Sequence, residues 1–192
     1  MNLNETPIRE KYKEFYGSYT LQMELLRKDN RIPMTMKDII ERRLNSKQKD
    51  WKSNYFNTCD AIIYGKEGKF KIVKNCDILK NVNSKTNLQS GRIKITEKEY
   101  AMIDSPEFRE NDEEQVWKYL IQELYDGYVQ MSGFLSAIYV SGHDEFLIRA
   151  WCVYWLDDNG RSDANGDGNL DDDDGRLVGL ASEMQDLEEK SA

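Results

Sequence analysis

Apolar residues at Ile8, Tyr12, Phe15, Tyr16, Tyr19, Met23 and Leu26 recur every three or four positions, the spacing of one helix face. Thr6-Pro7 supplies an N-cap and an N1 proline ahead of them, so the pattern predicts a helix of about five turns ending near Asn30. Gly17 lies inside that stretch and costs roughly 1 kcal/mol relative to alanine, which leaves the helix open to a kink. After Pro33, Thr35 followed by Asp38 resembles a capping box, and Ile39, Ile40 and Leu44 give a second, shorter helix its apolar face.

The period then changes. Ala61–Tyr64 and Lys69–Val73 are β-rich runs joined by Gly65-Lys66-Glu67-Gly68, which predicts a hairpin. Arg92-Ile93-Lys94-Ile95-Thr96 alternates charge with isoleucine and reads as a third strand of the same small sheet, with a polar loop over 81–90. From Asn111 the helical period returns through Val116, Trp117, Leu120, Ile121, Leu124, Tyr125, Tyr128 and Met131, after an acidic first turn that complements the helix dipole. Phe134–Val140 and Phe146–Leu156 continue as apolar helical segments, the second apolar nearly all round and so central to the core. The pattern as a whole predicts an α+β fold: a helical N-terminal segment, a small antiparallel sheet near 60–96 and a helical C-terminal layer. One domain over 1–192 is expected, with a possible subdivision into 1–104 and 111–192.

With 39% hydrophobic and 11% aromatic residues, the chain of 192 has apolar material for one ordinary core and is no disordered polymer. Its net charge of −8 conceals a division. Residues 1–100 hold 21 Lys+Arg against 13 Asp+Glu and the remainder 6 against 22, so +8 is followed by −16. That excludes a protein coating nucleic acid along its whole length. No secretory signal or membrane span is readable, and Cys59, Cys76 and Cys152 are odd in number and widely spaced. Reduced thiols and a cytoplasmic location are expected.

The densest candidate chemistry is Asp163-Ala164-Asn165-Gly166-Asp167-Gly168-Asn169-Leu170-Asp171-Asp172-Asp173-Asp174, with oxygen side chains at loop positions 1, 3, 5, 9 and 12. This resembles an EF-hand loop and is especially similar to the calcium loop of dockerin modules, over twelve of the 192 residues. The resemblance implies calcium held by the side chains of Asp163, Asn165 and Asp167, the backbone carbonyl of Asn169, Asp171 directly or through water, and Asp174 closing the shell. Gly168 would permit the sharp turn and Leu170 would tie the loop to the core. Phe146–Leu156 would be the incoming helix, with Asn159-Gly160 as its C-cap, and the cation would order Arg176–Leu187 behind the loop. Aspartate in place of the usual glutamate at position 12 favours monodentate contact and admits magnesium. Residues 157–174 carry eight Asp against Arg161 alone, a net −7 that a counter-cation would relieve. The alternative is a solvated turn rich in Asp, Gly and Asn.

A second candidate surface alternates Lys69 and Lys71 with Phe70 and Ile72, and Arg92 and Lys94 with Ile93 and Ile95. One basic sheet face would then meet nucleic acid or another polyanion weakly, extended by Lys66, Lys74 and Arg42-Arg43. No aromatic platform interleaves with it, so an ordinary solvated face is the competing reading. His143 is the sole histidine and excludes any site that needs two. His143 beside Asp144 as a base, with Cys59 or Cys152 as nucleophile, is the enzymatic alternative. Trp117, Trp151 and Trp155 are expected in the core. The leading expectation is a non-enzymatic calcium-binding or interaction module with an unidentified protein partner. A polyanion-binding protein is second and an unrecognised enzyme third.

Overall fold

The computed structural model describes residues 11–46 and 49–181. The first elements are β1 (Tyr12–Phe15), α1 (Tyr19–Lys28), β2 (Arg31–Pro33), α2 (Met36–Asn45), α3 (Lys49–Ser53), β3 (Phe56–Tyr64) and β4 (Lys69–Val73). The middle contributes α4 (Asp77–Lys80), β5 (Ile93–Lys94), α5 (Glu97–Met102), β6 (Glu107–Arg109) and α6 (Glu113–Tyr119), which runs into a π-helical turn at Leu120–Leu124. Last come α7 (Gln130–Phe134), β7 (Leu135–Tyr139), β8 (Leu147–Val153), β9 (Ser162–Asn165) and β10 (Arg176–Ala181).

All ten strands belong to one mixed sheet whose main path is β1-β10-β3-β8-β9-β7, with β2 on β10, β4 on β3, β6 on β4 and β5 on β8. The pairings of β10 with β3 and of β7 with β9 are parallel, and the others are antiparallel. Side chains alternate across the sheet, so β3 and β8 feed two cores at once. On one face Phe56, Ile62, Tyr64, Trp151 and Val153 pack with α2 residues Ile39 and Ile40, and with Leu120 and Tyr125. On the other face Ala61, Ile63, Ile148, Ala150 and Cys152 pack with Tyr19, Met23 and Leu26 of α1. Every residue of β3 and β8 is buried.

The expectation of helical layers at both ends is overturned by this sheet. Phe146–Leu156 contains the central strand β8 in place of a helix: a run apolar nearly all round is what either a buried helix or a strand covered on both faces requires, and here the second covering exists. Phe134–Val140 is mostly β7, laid parallel to β9. At the N-terminal side Tyr12–Phe15 is a strand paired with β10, and Gly17 at φ +96° turns the chain before α1, so the apolar stripe belongs to two elements. Thr6-Pro7 and Ile8 lie outside the described residues. The predicted helix from Asn111 is shorter than its pattern, because Asp126 and Gly127 at φ +53° and +76° end it.

Other local readings hold. Thr35 and Asp38 form a reciprocal capping box at α2. The hairpin of β3 and β4 closes through Gly65–Gly68, with Gly65 N donating to Lys69 O at 2.8 Å. The third strand forms but joins β8 rather than the hairpin.

A buried carboxylate ties these parts together. Asp60, in the middle of β3, is fully buried and accepts from Met36 N at 2.7 Å, Asn75 N at 2.8 Å and the Tyr125 hydroxyl at 2.6 Å. It thus links the first turn of α2, the chain after β4 and the segment after the π-helical turn. Burial pushes its carboxyl up to about 6 against the pull of these three donors.

Two outcomes follow from this core. The folded state takes up a proton at Asp60 near pH 6, whereas an unfolded aspartate does so near 3.9. Its contribution to stability is therefore full below about pH 4 and is lost as the pH rises through about 6. Denaturant midpoints measured between these limits will lose that component in Asp60→Asn; an unchanged difference between wild type and variant across the range contradicts it. Separately, Cys59, Cys76 and Cys152 are free and buried, and burial raises all three thiols, Cys152 to about 12. An aromatic disulfide reagent will find three thiols after unfolding and almost none before; rapid labelling of the folded protein contradicts this assignment.

Candidate functional site

The twelve acidic-loop residues are distributed by the sheet rather than wound around a point. Ser162 and Ala164 of β9 are buried, so Asp163 and Asn165 share the outward side of a strand, where alternate residues stand about 6.6 Å apart. Asp163 Oδ1 accepts from Ser136 Oγ at 2.8 Å, and Asn165 Oδ1 accepts from Asp167 N at 2.7 Å. Asp167 accepts from the Tyr64 hydroxyl at 3.2 Å and from Ser141, and lies 3.9 Å from Arg149. Asp171 and Asp174 are exposed. Among the described residues, no three His, Cys, Asp or Glu side chains come together as a metal cluster.

The glycines explain the loop's path. An added Cβ at Gly166 would meet Ile62 Cδ1 at 2.1 Å, one at Gly168 the Tyr55 hydroxyl at 3.0 Å, and one at Gly175 the Asn57 amide nitrogen at 2.6 Å. A side chain at Gly168 would press on the Tyr55 hydroxyl, so this glycine eases the loop's approach to the sheet, where the loop resemblance assigned it a sharp turn. Leu170 does tie the loop down: it is buried in the α1-side core, and its N–H donates to Gly91 O at 2.7 Å. Asn159-Gly160 is the tip of the turn between β8 and β9, with Gly160 at φ +74°. Of the segment expected to be ordered behind the loop, Arg176–Ala181 is β10 and 182–187 lie outside the described residues.

The basic residues are likewise separated. Lys71 is buried and donates to Ile103 O at 2.7 Å and Tyr100 O at 3.2 Å. Lys69 pairs with Glu107 at 3.3 Å and Lys94 with Glu145 at 2.9 Å. Lys69 and Lys71 lie on β4, whereas Arg92 and Lys94 accompany β5 on the far side of β3 and β8. His143 packs edge-on to Tyr64 with centroids 4.5 Å apart, and its pKa is lowered by burial first and then by Arg149 and Arg92.

A cleft that composition did not reveal lies where β8 leaves the sheet. It has a volume of about 180 Å³ and is lined by Tyr55, Tyr154 and Trp155 together with Asn169, Asp172 and Asp174. Asn57 opposes Cys152 and Phe56 opposes Val153, so the register continued by one residue sets Tyr55 against Tyr154. Their centroids are 4.8 Å apart at 50°, and Trp155 continues the ledge 5.4 Å from Tyr154 at 38°. Burial first, then Cys152 and the carboxylates of Asp167, Asp163 and Asp174, raises the Tyr154 phenol. Asn169 Oδ1 is a buried acceptor with no hydrogen-bond partner.

Trp155, expected in the core, is 59% exposed. The signal that could have found it is the acidic turn starting at Asp157: once 147–153 is a strand, residues 154–156 fall at the sheet's end beside that turn. The ledge is fixed from below by Arg43 of α2, whose side chain is only 1% exposed. Its guanidinium donates to the carbonyls of Tyr154 and Asn54 and to Ser162 Oγ at 3.1 Å, with its carbon 5.1 Å from the Phe56 ring centroid. Burial alone lowers its pKa to about 9, so it is charged at neutral pH.

No family model matches the chain, and a search of curated proteins finds no significant match. The chain is similar to a solved structure described as the accommodation of massive sequence variation in Nanoarchaeota by the C-type lectin fold. The two share 16% identity over 90% of this chain and 98% of that one, with a TM-score of 0.59. The fold is therefore C-type lectin-like, a mixed sheet with flanking helices in place of the layered arrangement expected from the sequence.

Replacing Arg43 with methionine removes the charged donor of the Tyr154 and Asn54 carbonyls and of Ser162 Oγ, while Tyr154 O keeps the Ser162 hydroxyl. Hydrogen bonds to a charged group are worth about 1.5–3 kcal/mol each, against which the relief of a buried charge is partial. The expected loss is about 3 kcal/mol in denaturant unfolding, with a shift in Trp155 emission under native conditions. A loss below about 0.5 kcal/mol, the size of an ordinary surface substitution, contradicts the bracing role.

Proposed function

We propose that this protein is a non-enzymatic binding module whose ligand surface is the cleft of Tyr55, Tyr154, Trp155, Asn169, Asp172 and Asp174. The observation that carries this reading is Trp155, left 59% exposed at the end of the most buried strand pair. Burying a tryptophan is strongly favourable, so a chain that holds one in water on a braced ledge keeps that gain for a partner. The similar C-type lectin-fold structure is described as accommodating massive sequence variation, which suits a scaffold that separates a rigid sheet from its presenting loops. Enzymatic use of Cys59 or Cys152 finds no support in their environment, since burial raises both thiols and an active nucleophile needs the reverse. Free, buried cysteines favour a cytoplasmic setting.

A second reading keeps a divalent cation, calcium with magnesium tolerated. It is favoured by the orphaned Asn169 Oδ1 next to exposed carboxylates. The full set of Asp163, Asn165, Asp167, Asn169, Asp171 and Asp174 could converge only by giving up the bonds to Ser136, Tyr64 and Ser141. This reading therefore places the cation at the exposed carboxylates of Asp172 and Asp174, which line one cleft with Asn169.

Chemical-shift mapping with a panel of neutral oligosaccharides, acidic peptides, basic peptides and calcium tests both readings. The cleft reading expects at least one organic ligand to shift the Trp155 indole, and Trp155→Ala to abolish that binding while changing stability by less than about 0.5 kcal/mol. Shifts confined to other surfaces, or none from any organic member, contradict it. The cation reading expects a heat of binding on chelator-stripped protein that Asp172→Asn with Asp174→Asn removes.

A further inference from the structure

We propose that the cleft takes a cationic side chain, the lysine ammonium or arginine guanidinium of a partner protein; this rests on the cleft being the binding surface. Several rings elsewhere are covered by the chain's own cations. Arg42 lies 4.8 Å from the Tyr12 centroid and 5.4 Å from Trp51, Arg43 lies over Phe56, Lys71 over Tyr100 and Lys74 over Tyr125. Among the described residues no Lys or Arg covers Tyr55, Tyr154 or Trp155, and none lines the cleft. Three adjacent rings thus stand beside carboxylates with no cation of the described residues over them.

The polar lining asks for the same chemistry. Asp172 and Asp174 present exposed carboxylate acceptors, and Asn169 lines the cleft beside them. Arg161, the one cation within 157–174, donates to Leu135 O. The eight aspartates of 157–174 repel an anion, and a neutral sugar, whose hydroxyls their carboxylates could also accept from, gains nothing from the net negative field that favours a cation. A bare metal ion would use the carboxylates and leave the ledge idle. A guanidinium or ammonium on an aliphatic stem uses both, and a cleft of about 180 Å³ has room for one long side chain rather than a folded segment.

The test is titration of acetyl-Gly-Arg-Gly-Lys-Gly-amide into the full chain, read at the Trp155 indole resonance. Its neutral counterpart carries citrulline and acetyl-lysine, and a linear glucose oligomer is run beside it. The cationic peptide is expected to bind at least tenfold tighter than the neutral one. Asp172→Asn with Asp174→Asn, read at the same resonance, and separately Trp155→Ala, read at the backbone amides of the cleft residues, should each weaken it at least tenfold. Raising salt from about 0.05 to about 0.5 M should weaken it several-fold. Both sets of substituted side chains are at the surface, and an unchanged melting temperature confirms that the variants fold. Equal binding of the neutral peptide, or no effect of the double variant, overturns the inference. If the glucose oligomer shifts the indole and the cationic peptide does not, the cleft remains a binding surface and only the ligand class is wrong. If no organic probe shifts it, the binding-module reading falls with the inference.

Discussion

Two strands buried on both faces, β3 and β8, leave the rest of the chain little choice. Their alternate side chains need two separate apolar coverings, which α1 supplies on one side and α2 with the segment 113–134 on the other. Once both faces are covered, polar groups in the middle of these strands can be satisfied only from within. Asp60 meets this constraint with two backbone N–H groups and a tyrosine hydroxyl, and by doing so fixes where α2 begins and where the chain after β4 runs. Leaving those donors unpaired would cost more than a typical surface mutation, so the carboxylate specifies the arrangement as well as stabilising it.

The cleft inherits its rigidity from the same pair. Tyr55 and Tyr154 are the residues just beyond the β3–β8 ladder, so their stacking continues the strand register. Arg43 holds the Tyr154 carbonyl and Ser162 from the helix side, and glycines at 166, 168 and 175 let the acidic loop run directly against the sheet. The loop's aspartates are in turn divided into an inner group, engaged by Ser136, Tyr64, Ser141 and Arg149, and an outer group, 171–174, left to solvent. A surface built this way keeps its exposed tryptophan and its charge in fixed relation, which reduces the ordering cost of binding.

Much of this was legible locally and little of it globally. The α2 capping box and the hairpin of β3 and β4 depend on neighbours within a few residues, and both form as their residues indicate. Phe146–Leu156 is not decidable on its own: ten apolar positions around Arg149 satisfy a buried helix and a doubly covered strand alike, and the choice is made by Ile62 and Ile63 some 85 residues away. The loop at 163–174 shows the same limit. Its oxygen spacing matches a wound cation loop, but positions 1 and 3 are drawn into β9 by pairing with β7 and β8, and the side chains that would converge are spaced along a strand. The cleft is not legible in the sequence because its two halves, Tyr55 and Tyr154-Trp155, are far apart along the chain, and Trp155 at the end of an expected helix has no reason to face water.

The central claim is that an exposed aromatic ledge stands within the field of the acidic loop, and collisional quenching of Trp155 measures that field directly. Trp155 alone among the four tryptophans is exposed, so it dominates quenching in the native state. At low ionic strength caesium should quench it more efficiently than iodide, and the two should converge as added salt shortens the screening length below about 8 Å. Iodide quenching as efficient as caesium at low salt, or a caesium advantage that salt does not reduce, would contradict the placement of the ledge in that field.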